Sequence, residues 1–108
     1  MEKKNLHDGH RKRLREKFKN YESALTDHEI LELLLGYSIP RKDTNALAHK
    51  LIDKFGGLAE VLKASPLALE GVDGIGENTA TFLSIIGAVN NRVSKVNQSE
   101  ENRILTID

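Results

Sequence analysis

The chain has 108 residues, 39% of them hydrophobic and 30% charged, with no Cys and no Trp. That length suits one compact domain with a modest core and excludes a large multidomain enzyme. The lack of Cys excludes disulfides, thiolate metal sites and cysteine nucleophiles. No apolar run approaches the roughly 20 residues of a membrane span, so a cytoplasmic protein without membrane contact is expected.

The formal net charge is zero, but the charge is unevenly spread. Residues 1–20 carry Lys3, Lys4, Arg11, Lys12, Arg13, Arg15, Lys17 and Lys19 against Glu2, Asp8 and Glu16. Local charge, not the total, sets attraction to a polyanion. This segment is a candidate for phosphate contact, and a solvated basic helix is the plainer alternative.

Asp8-Gly9 is a helix-start signal with Asp8 as N-cap. Leu14, Phe18 and Tyr21 follow at helical spacing and are expected to face the core, with Arg11, Arg15 and Lys19 four apart on another face. Thr26-Asp27-His28-Glu29 has the capping-box pattern and predicts a helix over 27–36. Its Ile30, Leu31, Leu33, Leu34 and Leu35 are apolar nearly all round, which belongs at the centre of a domain. Ser38 to Asp43 is a loop, because Pro40 lacks an amide donor and disfavours helix at Ile39. Asp43 or Thr44 caps a third helix with Leu47, Ala48, Leu51, Ile52 and Phe55 on one face, stopped by Gly56-Gly57. Leu58, Val61 and Leu62 mark a short fourth helix. Ser65-Pro66 starts a brief fifth through Glu70, ended by Gly71. Glu77 to about Arg92 form a sixth, with Ala80, Leu83, Ile86 and Val89 or Asn90 inward. Residues 93–103 have a linker's composition. The expected architecture is all-α: a compact bundle of five to six short helices over residues 1–92, then a polar tail over 93–108.

His7 and His10 stand three apart with Asp8 beside them, fewer ligands than a secure metal site needs. His28 and His49 are isolated and expected as polar contacts or surface residues. No nucleophile, base and orienting group can be assembled. Neither metal nor catalysis is expected of this chain.

The stretch that carries chemistry is Ser65 to Ala80: short helix, tight turn, long helix. Gly74 and Gly76 bracket Ile75 where the long helix begins. Such a turn needs conformations costly to a residue with a side chain. The first amides of the helix lack intrahelical acceptors and sit at its positive end, where a phosphate oxygen fits. A turn that merely joins two helices is the alternative. A dinucleotide fingerprint is disfavoured, because Thr79 stands at the third glycine's place and no strand precedes. A P-loop fails for want of Gly-Lys-Ser/Thr.

Leu69, Val72, Gly74-Ile75-Gly76, Ala80 and Leu83 resemble the helix-hairpin-helix motif of DNA repair and recombination proteins. The wider chain resembles the N-terminal domain of the RadC family. The matching segments are Asp8-Gly9-His10-Arg11, Arg13-Leu14-Arg15, Asp27 to Leu35, Ile39 to Asn45, Ala48 to Leu51, Lys54 to Leu58 and the hairpin. That family normally continues into a JAB/MPN domain with a zinc-type site, a partner in cis that none of these residues supplies.

The resemblance implies that amides around Gly74 and Gly76 meet consecutive phosphates of one strand, with Val72, Ile75, Asn78 and Thr79 completing the hairpin. It implies a possible monovalent cation at the carbonyls of Glu70, Val72 and Ile75. One departure stands out: hairpins that bind DNA strongly often have Lys near position 78, and here Glu77-Asn78 follow Glu70 and Asp73. The loop with Arg41 and Lys42 sits where endonuclease III-like glycosylases carry a comparable helix pair, and its cations can supply the missing charge; two solvated cations are the alternative. Glycosylase activity is not expected, since the nucleophilic Lys of those enzymes is absent.

The expected function is a non-catalytic, sequence-independent DNA-binding module of a RadC-like DNA repair protein. Its site comprises the hairpin, Arg41, Lys42 and the basic arm of Arg11, Lys12, Arg15 and Lys19. A protein-interaction or structural adaptor domain is the alternative.

Overall fold

The computed structural model describes the backbone of residues 6–106 and the side chains of residues 9–98. It contains α1 (Leu6–Tyr21), a 3₁₀ turn (Glu22–Ala24), α2 (Asp27–Ser38), α3 (Thr44–Phe55), α4 (Leu58–Lys63), α5 (Pro66–Glu70) and α6 (Glu77–Thr106). No strand occurs among the described residues, and the fold is all-α.

Local signals place most boundaries. Thr26 accepts the Glu29 amide at 3.2 Å while the Glu29 carboxylate accepts the Thr26 amide at 3.0 Å, completing the capping box. Both that amide bond and Lys17, 3.3 Å away, favour ionised Glu29 and hold its carboxyl below the ordinary 4.5. Asp43 accepts the Asn45 amide at 3.0 Å and caps α3. Gly56, at φ 108°, closes that helix with a 2.8 Å bond to the Ile52 carbonyl. Ser65 accepts the Ala68 amide at 3.1 Å, and Pro66 takes the first helical position of α5.

The core gathers one stripe from each of five helices: Leu31 and Leu35 of α2, Leu47, Ala48 and Leu51 of α3, Val61 of α4, Leu69 of α5, and Ala80 and Leu83 of α6. Val72 and Ile75, from the α5–α6 turn, are buried with them. Fully burying one such side chain contributes roughly 1.5–3 kcal/mol. α2 and α3 form the central pair, α4 and α5 lie on α6, and α1 packs on α2.

Four expectations about α1, α2 and α6 are corrected. α1 begins at Leu6, so Asp8 lies in its first turn rather than at the N-cap; the Asp8 side chain lies outside the described residues. Phe18 and Tyr21 are 46% and 70% exposed, because α1 lies across α2 by its first half, where Leu14 and Arg11 are buried. α2 is not enclosed: Leu31 and Leu35 are fully buried, but Ile30, Leu33 and Leu34 remain half-buried along an open face. α6 continues to Thr106, well past Arg92. Polar composition decides whether a helix surface is buried, not whether the helix forms. Beyond the core the helix leaves Val89, exposed, with Asn90, and then Val93 and Val96, on the surface.

Candidate nucleic-acid interface

The α5–α6 turn is held from inside. The Val72 amide donates to the Leu69 carbonyl at 3.1 Å and the Ile75 amide to the Val72 carbonyl at 3.0 Å. Gly74 adopts φ 98°, and a Cβ there would stand 3.1 Å from Cδ1 of Leu47. The position therefore demands glycine twice, by backbone conformation and by the approach of α3. Gly76 differs: a Cβ there would meet nothing within 4 Å.

Gly76 takes the N-cap place of α6, since its carbonyl accepts the Ala80 amide at 3.0 Å. It has no side chain with which to cap. The amides of Gly74, Gly76, Glu77, Asn78 and Thr79 find no acceptor among the described residues. Three other helices of the fold have capping side chains, Thr26, Asp43 and Ser65. The start of α6 is thus a row of N–H groups without acceptors among the described residues, on exposed residues at Gly76, Glu77 and Asn78, at the positive end of a 30-residue helix.

The predicted site residues divide. Gly74, Gly76, Glu77 and Asn78 are exposed. The side chains of Val72 and Ile75 belong to the core, leaving their backbone to the site. The Val72 carbonyl keeps one lone pair beyond its bond to Ile75, and the carbonyls of Glu70 and Ile75 accept no hydrogen bond among the described residues. Thr79 does not face outward: it is 5% exposed, and its hydroxyl lies 2.8 Å from that of Ser38. That contact ties the end of α2, and so the start of the 39–43 loop, to the first turn of α6. Arg41 and Lys42, both exposed, lie on this loop. The exposed carboxylates of Glu70, Asp73 and Glu77 lie on the turn itself.

Arg11 is corrected most sharply. It is 7% exposed, and its guanidinium donates to the carbonyls of Ile39 (3.0 Å), Pro40 and Lys42. It passes over Gly36, where a Cβ would stand 3.3 Å from its Nε. Arg11 shares the inward face with Leu14, three residues on, so the basic stripe is broken at its first member. Its planar fork closes a loop whose carbonyls have no partner in a helix or sheet. Lys12, Arg15 and Lys19 are exposed, but α1 packs on α2, away from the α5–α6 turn.

A second polar cluster was not foreseen. Glu32, 2% exposed, receives His10 Nε2 at 2.7 Å and Asn45 Nδ2 at 3.0 Å. Asn45 also reaches Nε2 of His28 at 3.5 Å, and the rings of His28 and His49 lie against each other with centroids 4.0 Å apart and planes tilted by 33°. The cluster joins α1, α2 and α3 and satisfies a carboxylate that burial would otherwise penalise. Glutamate within an apolar helix run was the available signal. Among the described residues no three His, Asp or Glu converge as a metal site would, and no helix is long and apolar enough to cross a membrane.

Fold and site define a small all-α domain in which the long helix α6 has an uncapped, glycine-led start. A family model described as UPF0758 N-terminal matches residues 7–81, and the chain belongs to that family, in agreement with the RadC-like resemblance at the level of family. A UPF0758 protein of Fusobacterium nucleatum is 51% identical over 80 residues, 73% of this chain and 34% of the relative. The chain thus spans about a third of the length of that relative. No solved structure matches.

Proposed function

We propose that the α5–α6 pair is a helix-hairpin-helix and that the domain grips the sugar–phosphate backbone of DNA without reading its sequence. One observation carries the reading: the amides of Gly74, Gly76, Glu77, Asn78 and Thr79 have no acceptor among the described residues, and Thr79 meets Ser38, the residue before the loop that bears Arg41 and Lys42. Phosphate oxygens satisfy such amides, and nearby cations offset the carboxylates of Glu70, Asp73 and Glu77. Lys12, Arg15 and Lys19 add long-range attraction. Arg11 acts through the loop and does not touch phosphate. A monovalent cation at the carbonyls of Glu70, Val72 and Ile75 belongs to the same proposal, bridging hairpin to phosphate.

The domain has no catalytic role in this reading. It serves a cytoplasmic RadC-like DNA repair protein and delivers DNA to a JAB/MPN domain in cis. The test is a chemical-shift titration with short duplex, single-stranded and junction DNA of arbitrary sequence. Amides 74–79 should shift most with at least one form, and the response should weaken as salt rises. Shifts confined to α1, or a large preference for one sequence, would overturn the reading.

A further inference from the structure

The face of α2 left open by the core is the floor of a groove of about 350 Å³. Ile30, Leu33 and Leu34 form that floor. Phe18 of α1 and Tyr37 of α2 stand at its sides, 46% and 69% exposed, and Arg15 and Lys19 complete the lining. Apolar side chains gathered in a concave surface, with two cations at its edge, are a feature of interaction sites rather than of ordinary surface. None of these residues belongs to the α5–α6 turn.

We propose that this groove binds an acidic amphipathic helix of a partner protein. The apolar floor takes the aliphatic or aromatic side chains that such a helix presents at i, i+3, i+4 and i+7. Arg15 and Lys19 pair with carboxylates beside that stripe, which fixes the orientation of the helix and disfavours basic partners. An extruded nucleobase fits less well, because its hydrogen-bonding edge would be buried against carbon with few partners. A second copy of this chain fits less well too. The other exposed apolar stripe, Ile85, Val89, Val93 and Val96 of α6, is flanked by Arg92 and Lys95, which would set cations against Arg15 and Lys19. The proposal is independent of the DNA reading, although Arg15 and Lys19 serve both.

The test uses the full chain and a synthetic helix of about 16 residues, four turns long, with Leu at i, i+3, i+4 and i+7 and Glu at the flanking positions. Resonances of Phe18, Leu33, Leu34 and Tyr37 should shift saturably. Replacing the peptide's Glu by Lys, or making R15E together with K19E, should each weaken binding at least tenfold. F18A, at a half-exposed side chain, should weaken peptide binding several-fold and leave binding of a short DNA duplex unchanged. An absence of saturable shifts, or equal binding of the Lys peptide, would overturn the proposal. Groove shifts that grow with protein concentration alone would assign the face to a second copy, and groove shifts with single-stranded DNA would assign it to nucleic acid. Either result would also overturn it.

Discussion

Two connections in this small bundle carry cations or amides suited to phosphate, and they are built in opposite ways. The 39–43 loop is closed from inside: Arg11 takes three of its carbonyls and Asp43 caps the helix that follows. The α5–α6 turn is held by its own backbone up to Ile75 and then left open, with glycine where α2, α3 and α5 have a capping oxygen; the short α4 also starts on a glycine, Gly57. The first arrangement spends a charged side chain on order. The second keeps the amides free for an acceptor from outside. In the proposed reading, the ordered loop with Arg41 and Lys42 and the open amides act together on phosphate.

The largest expected effect falls on the closed loop. Arg11→Ala removes charge-assisted bonds to three carbonyls and opens space above Gly36. Urea unfolding should report a loss of about 3 kcal/mol, with little rescue by Arg11→Lys, whose ammonium cannot reproduce the fork. A loss below about 0.5 kcal/mol would make the loop self-supporting. Next comes Gly74→Val, expected to cost about 1–3 kcal/mol from the left-handed backbone and the contact with Leu47. Gly76→Ala should cost less than about 1 kcal/mol, the penalty of a poor N-cap in open space. Equal losses at the two glycines would erase the distinction between a glycine needed by the fold and one that keeps the site open.

The basic arm gives a smaller effect on stability and a clear one on salt dependence. Replacing Lys12, Arg15 and Lys19 with Gln should change stability by less than about 1 kcal/mol per residue. If all three meet phosphate, the slope of log affinity against log salt should flatten by about two to three units. An unchanged slope would confine attraction to the loop and the turn. The smallest effect concerns Glu29. Its carboxyl is held below the ordinary 4.5, so its contribution is complete above that value and is lost as pH falls through the lowered one. Glu29→Gln should therefore lower stability at neutral pH and cease to differ from the parent in strong acid, as acid unfolding profiles would report.

Features encoded locally were legible in the sequence. Thr26 with Glu29, Ser65 with Pro66, and Gly56 each mark a helix end within four residues of chain, and the structure places helix ends there. The core stripes of α3 and the first half of α6 follow from helical spacing alone. What escaped depends on partners distant in sequence. Arg11 reads as one more surface cation until Gly36 and the carbonyls of Ile39, Pro40 and Lys42 come within reach. The all-round apolarity of α2 suggested full enclosure, but α1 covers only part of it and leaves the groove at Leu33 and Leu34. The touching rings of His28 and His49 belong to adjacent helices, and no local pattern signals such a meeting. In the turn, glycine spacing pointed to exposed amides, while the burial of Thr79 against Ser38 needed the packing of α6 on α2.

The central claim is that the amides at the start of α6 are kept open for phosphate, and Gly76→Ser tests it most directly. The added hydroxyl points into open space and can cap α6 without adding charge. Thermal unfolding should show a gain of a few tenths of a kcal/mol, roughly 1–3 °C for a domain of this size. Affinity for a short DNA duplex at fixed salt should fall about tenfold, the equivalent of losing one charge-assisted amide–phosphate bond of about 1.4 kcal/mol. A more stable variant that binds DNA as tightly as the parent would contradict the account and leave the open helix start as a connector.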